Sequence, residues 1–106
     1  MKSVVVTLIA SAGLMAAASA VAVELPPAGQ KKCAACHSVD KKIVGPAFKD
    51  VSAKYKGKKN AQALIATSIK SGGSFGWNYG KMPARGLGAT DEEVAVMSKF
   101  IAGLAK

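Results

Sequence analysis

The chain has 106 residues, with fifteen Lys and Arg against six Asp and Glu for a net charge of +9. That length suits one domain and not two, and a domain this small buries a thin core, so it needs a staple: a disulfide, a metal or a bound cofactor. With one Trp, two Tyr and no recognition motif, the basic charge does not read as a nucleic-acid surface; it reads as a solvated face or as steering toward an acidic protein partner or an anionic membrane.

In chain order, Met1-Lys2 gives a short positive start, Ser3 to Met15 carries no charge, and "AAASAVA" (Ala16 to Ala22) offers small residues before Ala20 or Ala22. This order predicts a secretory signal peptide over 1–20, cleaved after residue 20 or 22, and a single domain over 21–106. A membrane anchor is the alternative, but a spanning helix wants about 20 strongly apolar residues, and Ala, Ser and Gly dilute this one. Loss of Lys2 with the leader leaves fourteen basic residues against six acidic, a charge of +8.

A first helix is expected after Pro26-Pro27, carrying Gln30 to Ser38. Gly45-Pro46 breaks the chain. Ala47 to Tyr55 reads as a short helix with Phe48, Val51 and Tyr55 on one side, and "KGKKN" (Lys56 to Asn60) as a polar turn. Asn60 can cap a helix over Ala61 to Ser71, where Leu64, Ile65, Ser68 and Ile69 follow helical spacing, and Gly72-Gly73 ends it. Residues 72–88 hold six glycines and Pro83, which predicts a long loop, and long ordered loops in small domains tend to be functional. Thr90 with Glu93 three residues later forms a capping box for a last helix, whose apolar face is Val94, Met97, Phe100, Ile101 and Leu104. The expected fold is all-α, about four short helices.

Both cysteines and the single histidine lie in "CAACH", Cys33 to His37. C-x-x-C-H is the attachment signature of c-type heme. On a helical turn, cysteines at i and i+3 share one face and can both reach the two vinyl groups of one porphyrin, and His37 then stands under the iron. A disulfide between them would close only a tiny loop and add little stability. A redox dithiol would want a βαβ setting, and a four-ligand zinc site would need two further Cys or His; the chain has neither. The expected staple is one heme c held through Cys33 and Cys36, with His37 on the metal.

For the second axial position the domain holds two methionines, Met82 and Met97. Met97 falls on the apolar stripe of the last helix and reads as core. Met82, in "YGKMPARG", lies in the glycine-rich loop directly before Pro83, which favours an extended conformation for the residue it follows. Met82 is the expected sulfur ligand; the alternative is a packed loop methionine beside a five-coordinate iron.

The order of these motifs resembles the short, single-heme bacterial class I c-type cytochromes over nearly all of residues 28–106. "CAACHSVDKKIVGPAFKDVSAKY" has that group's heme motif and its following "VGPA-K-V" block, and "GWNYGKMPA" resembles its Trp-containing loop ending in the methionine. The resemblance implies a heme-wrapped all-α fold in which the Pro46 carbonyl accepts the Nδ1 hydrogen of His37, Trp77 reaches a heme propionate, and Phe100 packs the last helix across the first. Some positions depart from the group: Lys81 and Ala84 flank Met82-Pro83, Arg85 stands where asparagine is common, and Ala28 replaces a frequent aromatic, which leaves either Leu25 to make that contact or a looser helix crossing.

With His37 and Met82 both on the iron, the expected function is single-electron transfer between redox partner proteins, in the periplasm, with no catalysis and no small-molecule substrate. A five-coordinate heme enzyme or gas sensor is the alternative. The apolar shell expected around the heme is Ile43, Val44, Phe48, Val51, Leu64, Ile65 and Ile69. Lys31, Lys32, Lys41, Lys42, Lys81 and Arg85 are expected to form a positive rim that orients partners with acidic docking surfaces. No surplus apolar stripe demands a second copy, so the expected state is a monomer.

Overall fold

A computed structural model describes residues 23–105; the leader expected over residues 1–20, with its cleavage point, lies outside them. The described chain is all-α: α1 Pro27–Lys32, α2 Phe48–Tyr55, α3 Ala61–Ser71 and α4 Asp91–Gly103. No helix among the described residues is long and apolar enough to cross a membrane.

The first helix departs from the expectation. It starts at Pro27, whose missing N–H is no loss in a first turn, but ends at Lys32, before the cysteines. The Gly29 carbonyl takes the N–H groups of both Cys33 and Ala34, each at 2.9 Å, which widens the turn there. Cys33 then opens a separate turn, its carbonyl accepting from Cys36 (3.1 Å) and His37 (2.9 Å). The chain does not run on as a helix through Ser38; past this turn the Cys36 carbonyl accepts from Val44 N–H (3.2 Å) and Gly45 N–H (2.7 Å) of the returning loop. The two cysteines therefore share a single closed turn and not a helix face.

The second helix begins at Phe48, one residue later than expected, after Ala47 as N-cap. Phe48 is buried, with Val51 and Tyr55 packed against the core beside it. Asn60 stands at the N-cap of α3, but its side chain makes no capping bond; the residue closes the turn through its carbonyl, to Leu64 N–H at 3.0 Å. At α4 the capping box forms as expected: Glu93 N–H donates to Thr90 Oγ1 at 3.2 Å and Thr90 N–H to Glu93 Oε1 at 3.1 Å.

The last helix is the spine of the fold, packing on α3, α2 and α1. Its stripe residues Val94, Met97 and Ile101 are buried together with Ile65 and Ile69 of α3, Phe48 of α2, Cys33 and Ala89. Where α1 approaches α4, a side-chain carbon on Gly29 would lie 2.8 Å from the Met97 sulfur, so glycine lets the two helices come close. Phe100 is only partly buried against this core, as are Leu25 and Ala28. Ser52 Oγ accepts from Ala105 N–H at 3.0 Å, tying α2 to the end of the chain.

Candidate heme site

The helices and the 72–88 loop surround a cleft of about 1050 Å³, counting the space open at its mouth. Cys33, Cys36, His37, Pro46, Trp77 and Met82 all line it. These are the six residues that the sequence singles out, drawn together from positions up to 49 residues apart.

His37 sits on the loop that returns to Gly45-Pro46. Its Nδ1 lies 2.8 Å from the Pro46 carbonyl oxygen. A carbonyl can only accept, so Nδ1 carries the hydrogen, and in the neutral ring Nε2 keeps its lone pair for a metal. The ring stacks on Phe48, centroids 4.7 Å apart and planes within 13°. On the other side, a side-chain carbon on Gly45 would come within 2.5 Å of Cε1 and 2.9 Å of both ring nitrogens. Imidazole orientation is thus fixed by a hydrogen bond, a stacked ring and a glycine that leaves room.

Met82 is held by its backbone. Gly73 and Met82 exchange both main-chain hydrogen bonds, each 2.9 Å, in an isolated antiparallel bridge. Beneath that bridge lies Gly72, at φ +65 and ψ −179, where a side-chain carbon would meet Met82 O at 2.5 Å and Ala84 N at 2.6 Å. The end of α3 therefore grips the Met82–Ala84 segment directly against the cleft. Met82 itself is half-buried and packs on the core cluster.

Trp77 stacks on Tyr79, with centroids 5.9 Å apart. Lys54 of α2 bonds to the Phe75 carbonyl and stands 5.2 Å over the Trp77 ring. The walls are mostly apolar: Phe48, Val51, Ile65, Ile69 and Ile101 line the cleft, as do the hydroxyl-bearing Tyr55 and Ser68, whose oxygens lie 3.4 Å apart. Burial is the main reason the Cys33 thiol is pushed above its ordinary range, with the charges of Glu93 and Cys36 acting the same way. The thiol is thereby kept protonated.

Several expectations change. Ile43 (50% exposed) and Val44 (57%) are not buried shell residues, though Val44 lines the cleft mouth; the loop that turns His37 toward Pro46 carries them outward. Leu64 is half-buried and is not part of the lining, which takes its neighbours Ile65 and Ser68 instead. Phe100 does not line the cleft either, Ile101 being the α4 residue that does. Of the basic rim, Lys32 and Lys81 line the mouth, and Lys42 stands 4.5 Å over the Tyr79 ring. Arg85 is not an uncompensated rim charge, because its Nη1 pairs with Asp91 at 2.8 Å. Gly45 and Gly72 shape the site without standing out in the sequence, where they read only as a turn and a helix stop.

The donor set fits a heme: two thiols on one turn, an imidazole with one nitrogen lone pair available, a soft thioether, and apolar walls. The comparisons agree. The cytochrome c family model matches residues 28–105. Cytochrome c-551 of Stutzerimonas stutzeri is 36% identical over 105 residues, covering 98% of this chain and 99% of its own. Cytochrome c-551 of Pseudomonas denitrificans is 45% identical over 74 residues, 70% of this chain and 88% of its own. The crystal structure of wild-type Nitrosomonas europaea cytochrome c552 superposes with a TM-score of 0.66 at 37% identity, covering 73% of this chain and 95% of that one. The fold and the site define a small class I, single-heme protein whose cofactor is heme c. The chain belongs to the cytochrome c family.

Proposed function

We propose that this cytochrome c is a soluble periplasmic electron carrier, in which Cys33 and Cys36 attach one heme c and His37 and Met82 are its two axial ligands. The observation that carries the reading is the reciprocal Gly73–Met82 bridge, which fixes the methionine on the wall of the same cleft as His37. When bound, heme c supplies one-electron chemistry between ferric and ferrous iron. His37 donates through Nε2, with the Pro46 carbonyl holding its ring and raising its donor strength. The Met82 thioether, a soft ligand, favours the ferrous state and raises the potential. Phe48, Val51, Ile65 and Ile69, which line the cleft, would keep water away, and Trp77, lining it from the loop side, would bind a propionate.

With His37 and Met82 both on the iron, no position would be left for a substrate, and the protein would act as a carrier and not as an enzyme. Lys32, Lys42 and Lys81 border the mouth, where positive charge favours encounter with redox proteins that dock through acidic surfaces. The carrier acts as a monomer, after removal of the leader over residues 1–20. Absorption spectra of the exported protein test this reading. Sharp ferrous bands and the weak long-wavelength ferric band of iron–sulfur bonding are expected, with the latter lost in Met82→Ala. Absence of that band, with rapid carbon monoxide binding to the ferrous protein, would instead support a five-coordinate enzyme or sensor.

A further inference from the structure

The loop that follows Met82 is fastened at three places. Arg85 N–H donates to the Ile69 carbonyl of α3 at 2.7 Å, and Leu87 N–H to the Lys32 carbonyl at the end of α1 at 3.3 Å. The third fastening is a side chain. Arg85 Nη1 donates both to the Ala89 carbonyl, at 3.2 Å, and to Asp91 Oδ1, at 2.8 Å. Asp91 is the first residue of α4, where a carboxylate also meets the positive end of the helix dipole.

Arg85 adopts φ 61, a left-handed conformation that disfavours any side chain. A glycine would relax the backbone at that position, so the arginine must be offset by what its guanidinium binds. Lys70 stands 4.0 Å from the same carboxylate, yet it belongs to α3 and cannot tie the loop down. Among the described residues, Arg85 is the one residue of the methionine loop whose side chain bonds to the first turn of α4.

We propose that the Arg85–Asp91 pair is a clasp that keeps the Met82 segment closed over the heme cleft, with Arg85 a positioning residue for the axial sulfur. The proposal rests on the reading of Met82 as sixth ligand. With Met82 as sixth ligand, an external ligand would reach the iron only after the sulfur had left it, and lifting of the segment between Gly73 and α4 would free that sulfur. The clasp opposes the lifting. Both side chains are well exposed, 40% for Arg85 and 69% for Asp91, so the effect is graded, about two- to five-fold in the opening equilibrium.

Imidazole titration of the ferric holoprotein, followed by loss of the iron–sulfur band, measures that equilibrium. Arg85→Ala and Asp91→Asn are each expected to bind imidazole about two- to five-fold more tightly. The double variant should bind no more tightly than either single one, since both changes open one clasp. Arg85→Lys should recover part of the difference, and Glu92→Gln, which alters the same acidic turn, should leave it unchanged. Unaltered imidazole affinity in both single variants, or additive effects in the double variant, overturns the clasp while the Met82 assignment stands. A wild-type protein without the iron–sulfur band overturns both.

Discussion

Replacing Gly72 with alanine should strike the methionine segment from below. Gly72 holds φ +65 and ψ −179, a region essentially reserved for glycine, where any side chain carries about 1–3 kcal/mol of strain. The added carbon would also lie 2.5 Å from Met82 O, 2.6 Å from Ala84 N and 2.9 Å from Pro83 C. These are backbone atoms and cannot swing aside as a side chain would, so the overlap adds about 1–3 kcal/mol more. A combined loss of about 4 kcal/mol is a large share of the roughly 5–15 kcal/mol that holds a domain together, and lowers the melting temperature by about 15–30 °C. Gly80→Ala is the control in the same loop: φ is +86, but nothing lies within 4 Å of the new carbon, so only about 1–2 kcal/mol of conformational strain applies. Guanidinium unfolding of both variants should be followed by circular dichroism and by the ferric iron–sulfur band. In Gly72→Ala the sulfur band should disappear at lower denaturant than the helices, because the clash falls on Met82. If the two variants unfold within about 0.5 kcal/mol of each other, with sulfur and helix signals lost together, the grip of α3 on Met82 is not what places its sulfur.

Gly45→Ala should push the His37 ring off the Pro46 carbonyl, since the new carbon would lie within 2.9 Å of both ring nitrogens; proton NMR of the ferrous protein would show faster exchange of the Nδ1 hydrogen, and unchanged exchange would count against the geometry. Asp91 is held below the ordinary carboxylate range first by its hydrogen bond from Arg85, then by the charges of Arg85 and Lys70. A depressed folded-state pKa contributes stability above the unfolded value, about 3.9, and loses it as pH falls through the lower folded value. The stability gap between wild type and Asp91→Asn should therefore be constant near neutrality and close in the acid limb below about pH 4, as read by urea unfolding at stepped pH. Lys81, exposed and at the cleft mouth, carries no pairing carboxylate among the described residues. Lys81→Gln should reduce the salt dependence of electron transfer to an acidic partner more than Arg85→Gln does, in stopped-flow rates across ionic strength.

Much of the site can be read in the chain because its signals are local. "CAACH" joins three chemically scarce residues at a spacing that one turn can present, and Met82 stands out by lying in a glycine-rich loop away from any apolar stripe. The capping box at Thr90 and the stripe through Val94, Met97 and Ile101 are equally local, and the structure shows both. The end of α1 is not local. The turn that replaces the helix past Lys32 is closed from outside it: the Cys36 carbonyl accepts from Val44 and Gly45, which arrive from a loop eight and nine residues later. Ile43 and Val44 mislead for the same reason: apolar character suggests burial, while the turn that aims His37 at Pro46 carries them to the surface.

By itself, the sequence determined the helix count, the cofactor implied by the attachment motif and the two residues proposed for its metal, since each depends on residue type at short spacing. Only the tertiary structure decided how those residues are held: the Pro46 carbonyl on His37, the Gly73 bridge and Gly72 floor under Met82, and the pairing that turns Arg85 from a rim charge into a clasp on Asp91. A hydrogen bond or ion pair between distant residues exists only once packing has brought its partners within about 3 Å, and composition and periodicity carry no record of that distance.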